Sequence, residues 1–142
     1  MSKDLTTSQI DRQNILNNDL AVNEIQNQTG IQGIIFDGRL RFTKSMVATC
    51  FNVDVRTIER YVSDNSDEIT ANGYEILKGK KLKEFMDCVI AQDVPDINVG
   101  NISNRTPQIA IFDFKAFLNM AMLLAESENA KVLRQIMLDM QI

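Results

Sequence analysis

The stretch FTKSMVATCFNVDVRTIERYV, residues Phe42–Val62, decides the fold because its apolar spacing fits two short helices that cross at a tight turn. On the first helix Val47, Ala48 and Phe51 share one face, and the small side chain of Ala48 lets a second helix approach closely. Asn52 tolerates the left-handed backbone that the turn requires. The stretch therefore predicts a helix-turn-helix motif.

Capping residues predict where both helices begin. Thr43 can cap the first helix and Asp54 the second, since each offers a side-chain oxygen to a free backbone N–H. Each such cap is worth about 1 kcal/mol. We expect the second helix to bury Ile58, Tyr61 and Val62.

The outer face of the second helix carries arginines. Arg56 and Arg60 are one turn apart, and arginine can contact phosphates or pair with guanine edges. Glu59 disfavours phosphate but can accept a hydrogen bond from cytosine. The alternative is a helical hairpin in a core, with both arginines simply solvated.

Charge is unevenly distributed along this chain of 142 residues and net charge −4. Residues 39–83 hold nine basic and six acidic side chains, whereas residues 1–38 and 84–142 are both acidic. Fields from distant charges are screened within about 10 Å at moderate salt, so the local sign matters. A weakly basic face on an acidic body predicts modest, salt-sensitive DNA affinity that dimerisation would raise.

The composition points away from an enzyme. There is no histidine, the commonest general base and zinc ligand, and no glycine-rich phosphate loop. Cys50 and Cys88 are expected to be buried free thiols rather than a disulfide. We therefore expect no catalysis, cofactor or metal. With no apolar run near the ~20 residues that cross a membrane and no leader, we expect a cytoplasmic protein.

The chain before the helix-turn-helix predicts helix and then hairpin. Residues 1–30 are rich in Asn and Gln with an imperfect apolar stripe, which indicates one helix or two short ones ending at Gly30. The dipeptide Asp37-Gly38 between two apolar runs predicts a β-hairpin.

The chain after it predicts a wing and an amphipathic helix. Residues 63–67 form a polar break, and residues 74–77 alternate like a strand, which we interpret as the wing. Lys78 and Lys80 follow as candidates to hold phosphates, and residues 80–92 carry a clean helical stripe.

The C-terminal part predicts a linker and a helical pair. Residues 93–108 contain both prolines and no periodicity, and a short strand is expected over 109–112. A helix from Asp113 is apolar nearly all round, and Ser127 can cap a last helix. Because that helix has no C-cap, we expect a truncated chain with a methionine-rich apolar surface for a missing domain or a partner.

Together these patterns predict a mainly α (α+β) fold. It comprises a winged helix-turn-helix with a small β-hairpin or sheet, followed by a C-terminal helical pair. The expected division is a helical segment over 1–30, the DNA-binding domain over 31–92, a linker over 93–108 and a packing or dimerisation region over 109–142.

Three runs of the sequence carry a family resemblance: RFTKSMVATCFNVDVRTIERY, NGYEILKGKKLKEF and FDFKAFLNMAMLLAESENAKVLR. They resemble bacterial and phage-like DNA-binding proteins of the RhuM-like, virulence-associated type. The resemblance covers about residues 31–139. In such families this region often precedes another domain, including Fic/Doc (death-on-curing) domains. It implies a mobile-element origin and DNA binding. No Fic-type activity is implied, because its motif needs a histidine.

We therefore expect a DNA-binding module, a transcriptional regulator or targeting domain that acts as a homodimer on double-stranded DNA. The helix over 54–65 would enter the major groove, and the expected contact residues are Arg56, Thr57, Glu59, Arg60, Ser63, Arg39, Arg41, Lys44, Lys78 and Lys80. The alternative is an antitoxin-like interaction module whose apolar C-terminal helices bind a toxin or an adjoining domain.

Overall fold

The computed structural model describes residues 4–92 and 107–140, and within them the chain is mainly helical with one four-stranded antiparallel sheet. The elements in chain order are α1 (Gln9–Leu16), α2 (Asp19–Thr29), β1 (Ile34–Phe36), β2 (Arg39–Thr43), α3 (Lys44–Phe51), α4 (Val55–Asp64), α5 (Ser66–Ala71), β3 (Tyr74–Lys78), α6 (Gly79–Gln92), β4 (Gln108–Asp113), α7 (Phe114–Leu123) and α8 (Glu128–Asp139).

The predicted hairpin is confirmed at β1 and β2. Asp37 and Gly38 form its two-residue turn, with φ angles of 57° and 74°. Both angles lie in the left-handed region, which Asp tolerates and Gly accepts without cost.

Strand β4 lies inside the sheet, whose order is β1-β2-β4-β3. Phe112 pairs with Phe42 of β2 on one side and with Tyr74 of β3 on the other. The region after residue 108 therefore completes the sheet that the region before residue 92 begins. The predicted division into a domain over 31–92 and a separate region over 109–142 does not match this shared sheet. Most of the predicted linker, residues 93–106, lies outside the described residues.

Helices cover both faces of the sheet. Phe36 packs edge-on against Phe85 of α6, with ring centroids 5.3 Å apart. Phe42 stacks on Phe117 of α7 at 4.6 Å. Neighbouring residues of a strand point to opposite faces. Arg41 pairs with Ile34, which lies two residues before Phe36, so Arg41 and Phe36 share one face of the sheet. Phe42 follows Arg41 and therefore points to the other face. Helices α6 and α7 therefore lie on opposite faces, and α4 packs on the α7 side.

Helix α7 is the centre of the core. Its residues from Ala116 to Leu123 are all buried, which confirms that this apolar helix is covered on every side. Met120, Met122 and Met137 are among the buried side chains. The expected methionine-rich surface is therefore wrong, because these side chains pack inside the chain itself.

The N-terminal segment forms two short helices that dock on α7 and α8. Ser8 and Asn18 cap them, and Gly30 ends the second in a left-handed conformation, as predicted. Arg12 is buried and donates two hydrogen bonds to Glu68, at 2.8 and 2.7 Å. Burial opposes the charged form of Glu68, but hydrogen bonds from Arg12 and Asn119 outweigh it and lower the pKa of the carboxyl.

The wing interpretation of residues 74–77 is not confirmed. The strand exists, but it pairs with β4 instead of forming a hairpin of its own. The polar break predicted over 63–67 is also wrong, because α4 runs to Asp64 and α5 begins at Ser66. Helix α5 has six residues and buries only Ile69, too little for a visible periodic pattern.

Candidate nucleic-acid interface

Helices α3 and α4 begin at the caps that the sequence predicted, and they are joined at Asn52. The Thr43 hydroxyl accepts a hydrogen bond from the Met46 N–H at 3.2 Å, and the Asp54 carboxylate accepts one from the Arg56 N–H at 2.8 Å. Asn52 adopts the left-handed conformation, with φ 53° and ψ 49°. These local features fix the start of α4 relative to α3.

The inner face of α4 is held by packing. Ile58 and Val62 are buried against α3 and α7, whereas Tyr61 is only half buried. The prediction is therefore confirmed for Ile58 and Val62, but not for full burial of Tyr61. The opposite face of the helix is left to solvent.

Arg56 lies on that outer face. It is exposed, and among the described residues its guanidinium makes no hydrogen bond or ion pair. Ser63 is also exposed, and Thr57 is half buried beside the helix start. Among the described residues, Arg56 is thus the arginine of α4 whose guanidinium N–H groups are all available to an external acceptor.

Arg60 is exposed but already has a partner. Its Nη2 lies 3.0 Å from Oε1 of Glu126, and the two side chains remain 58% and 49% exposed. The guanidinium also lies 5.3 Å from the ring centroid of the adjacent Tyr61. No local sequence pattern indicates this ion pair, since Glu126 is 66 residues further along the chain.

Glu59 and Lys44 extend the same surface toward the start of α3. The Nζ atom of Lys44 lies 3.8 Å from Oε2 of Glu59, which is a loose contact. The lysine side chain is 30% exposed and the glutamate side chain 52% exposed. Burial, with a smaller contribution from the charge of Glu59, raises the pKa of Tyr74.

Arg41 does not belong to this surface, so the expectation that it holds a phosphate is wrong. Its side chain is 1% exposed and paired with two carboxylates. The distances are 2.7 Å from Nη1 to Glu75 and 2.8 Å from Nε to Asp113. The hydrogen bond from Arg41 lowers the pKa of Glu75. Arg41 is therefore a buried counter-ion beneath α6.

Arg39 and Lys80 are also directed away from α4. Arg39 shares the α6 face of the sheet with Arg41 and pairs with Asp113 at 2.7 Å. Lys80 lies in the first turn of α6. Lys78 does end β3, and alternation places it on the same face as Tyr74. Of these candidates, only Lys78 shares the α4 side of the sheet.

The surface around α4 is not strongly basic. Arg56, Arg60 and Lys44 are accompanied by four carboxylates, those of Asp54, Glu59, Asp64 and Glu126. The basic excess of residues 39–83 is instead shared with Arg39, Arg41 and the lysines of α6. Any phosphate affinity of this face must come from two or three arginine and lysine side chains.

No protein family, curated protein or solved structure matches the chain. Residues 4–92 and 107–140 contain no helix whose length and hydropathy would let it traverse a bilayer. The same residues bring together no group of three or more Cys, Asp or Glu side chains that could hold a metal ion.

Proposed function

We propose that the protein is a DNA-binding module that inserts α4 into the major groove of a duplex. The observation that carries the proposal is the exposure of Arg56 and Arg60 on one face of a helix whose other face is locked into the core. The major groove admits an α-helix, and arginine pairs with the O6 and N7 atoms of guanine.

Each side chain of the interface has a distinct role in this proposal. Arg56, which has no partner among the described residues, reads a guanine edge, while Arg60 and Lys44 hold phosphates. Glu59 accepts from a cytosine amino group and excludes bases that offer no donor there. Thr57 and Ser63 add polar contacts from the two ends of the helix.

Lys78 supplies a flanking contact. Strands rise about 3.3 Å per residue, so the four steps from Tyr74 to Lys78 span roughly 13 Å. Tyr74 and Lys78 both point to the side of the sheet on which α4 packs. In this proposal Lys78, on that side of the sheet, contacts a phosphate at the edge of the groove that α4 occupies.

The near-balanced charge of this face implies weak binding by one copy. Affinity for duplex DNA rises with the number of neutralised phosphates, and few cations are available here. We propose that two copies bind paired half-sites about one helical turn, ~34 Å, apart. A role in transcription regulation or targeting on a mobile element accords with the resemblance to RhuM-like proteins.

The antitoxin-like alternative rested on exposed apolar C-terminal helices. Helix α7 is enclosed by the rest of the chain, and α8 buries Ala130, Leu133 and Met137. The described part of the chain therefore offers the alternative no specific support, and we prefer DNA binding.

Selection of bound sequences from random duplexes tests the proposed function. We expect enrichment of a guanine-containing motif, arranged as two half-sites, and a steep loss of binding as salt rises. Selections at low and at moderate salt separate phosphate contacts from base readout. Failure to enrich any sequence, with no mobility shift even at low salt, contradicts the proposal.

A further inference from the structure

The two outward arginines of α4 differ in one respect. Arg56 has no partner among the described residues, whereas Arg60 is paired with Glu126. Glu126 belongs to the short connection between α7 and α8, not to the helix-turn-helix. The C-terminal part of the fold thus supplies an acidic group to the face that we propose binds DNA.

The backbone beside Glu126 is firmly anchored. The Ser127 hydroxyl donates a hydrogen bond of 2.7 Å to the carbonyl oxygen of Phe51, and both groups are buried. Asn129 donates from Nδ2 to the carbonyl oxygen of Cys50 at 3.1 Å. Both acceptors lie in the last turn of α3, whose carbonyls lack partners within the helix. The α7–α8 connection is therefore clamped to the helix that precedes the turn.

Arg60 is held from its own side. Its guanidinium lies over the ring of Tyr61, which is itself half buried. An exposed ion pair usually contributes little because two long side chains must be immobilised to form it. Here the backbone anchoring of Glu126 and the ring under Arg60 reduce that cost, so the pair is preorganised.

We propose that Glu126 is an intramolecular competitor of DNA phosphate for Arg60 and thereby lowers the affinity of α4 for duplexes. This inference rests on the proposed function. The Glu126 carboxylate contacts only Nη2 of Arg60, but its negative charge beside the guanidinium repels an incoming phosphate, so Arg60 binds a phosphate more weakly while the pair is intact.

The competition has a consequence for selectivity. Phosphate contacts supply nearly all of non-specific binding, whereas base contacts supply sequence readout. A carboxylate paired with Arg60 reduces the phosphate contacts and leaves Arg56 available for base readout. Glu126 therefore favours discrimination between sequences at the expense of total affinity.

Replacing Glu126 by glutamine tests the inference, with Glu128→Gln as the matched control. Glu128 is exposed, lies two residues away and has no ion pair among the described residues. We expect Glu126→Gln to bind a non-specific duplex about two- to fivefold tighter, the range that exposed ion pairs allow. Its salt dependence should steepen by about 0.9, equivalent to one added phosphate contact. Glu128→Gln should show less than half of the affinity change.

Three results overturn the inference: unchanged binding by Glu126→Gln, weaker binding, or an equal gain in both variants. Weaker binding would mean that Glu126 holds Arg60 in its productive position. Equal gains would mean that any lost negative charge has the same effect.

A measurement without DNA separates this inference from the proposed function. The side-chain N–H signals of Arg60 in NMR spectra should exchange with water more slowly in the unaltered protein than in Glu126→Gln. If these signals exchange slowly in the unaltered protein but Glu126→Gln binds DNA no more tightly, the competition is rejected and the proposed function stands. Absence of DNA binding in both proteins rejects the proposed function and the competition with it.

Discussion

Replacing Phe117 by alanine is expected to lower the free energy of unfolding by about 3–5 kcal/mol, the usual cost of truncating a buried phenylalanine. The side chain is fully buried in α7 and stacks on Phe42 of the sheet at 4.6 Å and on Phe51 of α3 at 4.9 Å. The cavity would therefore open where the sheet, α3 and the C-terminal helices meet. Denaturation by urea, followed by far-ultraviolet circular dichroism, measures the loss.

The control for this variant is Ile90→Ala on α6, where the isoleucine is 74% exposed. A surface substitution of this kind should change stability by about 0.5 kcal/mol or less. Phe117→Ala should also still unfold in one transition, because β4 pairs with both β2 and β3 and still joins the two parts of the chain. Two separate transitions, or a loss no larger than that of the control, contradict the packing described for α7.

Replacing Arg12 by alanine is the second large change, with an expected loss of about 3–5 kcal/mol. Arg12 makes a two-point contact with Glu68 and a 2.8 Å hydrogen bond to the carbonyl oxygen of Leu5. Both side chains of the ion pair are 8% exposed, so removal of the guanidinium leaves a buried carboxylate without its cation. Urea denaturation at neutral pH measures the effect.

Arg39→Ala is the matched control, because it removes the same side chain from a pair in which Arg39 is 58% exposed. Asp113 keeps Arg41 as a partner in that variant, so a loss of about 1 kcal/mol or less is expected. Similar losses in the two variants would show that burial does not strengthen the Arg12–Glu68 contact. They would also show that the Arg12–Glu68 contact is not what holds α1 to α5.

Much of the fold could be predicted because its signals are local. The Asp37-Gly38 turn, the Thr43 and Asp54 caps and the left-handed Asn52 each depend on a few neighbouring residues. Helix α6 and the apolar helix α7 showed clear hydrophobic patterns over ten or more residues. Such patterns act within one element and need no knowledge of its partners.

The arrangement of the elements was harder to predict. Strand β4 enters the sheet between β2 and β3, although it follows β3 by a helix and a long connection. No periodicity in the sequence reports which strands pair. The strands on the two sides of the expected linker therefore belong to one sheet, which the sequence did not indicate. The strand expected to form a wing, β3, pairs with β4.

The candidate site shows the same division. Local pattern identified the outward face of α4 with Arg56 and Arg60. It could not show that Arg41 is buried, since the two carboxylates that pair with Arg41 come from other strands. Nor could it find Glu126, whose contact with Arg60 exists only once α8 has packed on α3.

The most direct test of the central claim is the duplex affinity of an Arg56→Ala, Arg60→Ala double variant. Its matched control is Lys80→Ala, Lys83→Ala, which removes two exposed cations from α6 on the opposite face of the sheet. Fluorescence anisotropy with a selected duplex at fixed salt compares both with the unaltered protein. The proposal predicts a loss of about 2 kcal/mol or more, roughly 30-fold, for the arginine variant and a much smaller loss for the lysine variant. Equal affinities for the arginine variant and the unaltered protein, with both folded, would contradict the assignment of α4 as the DNA-reading helix.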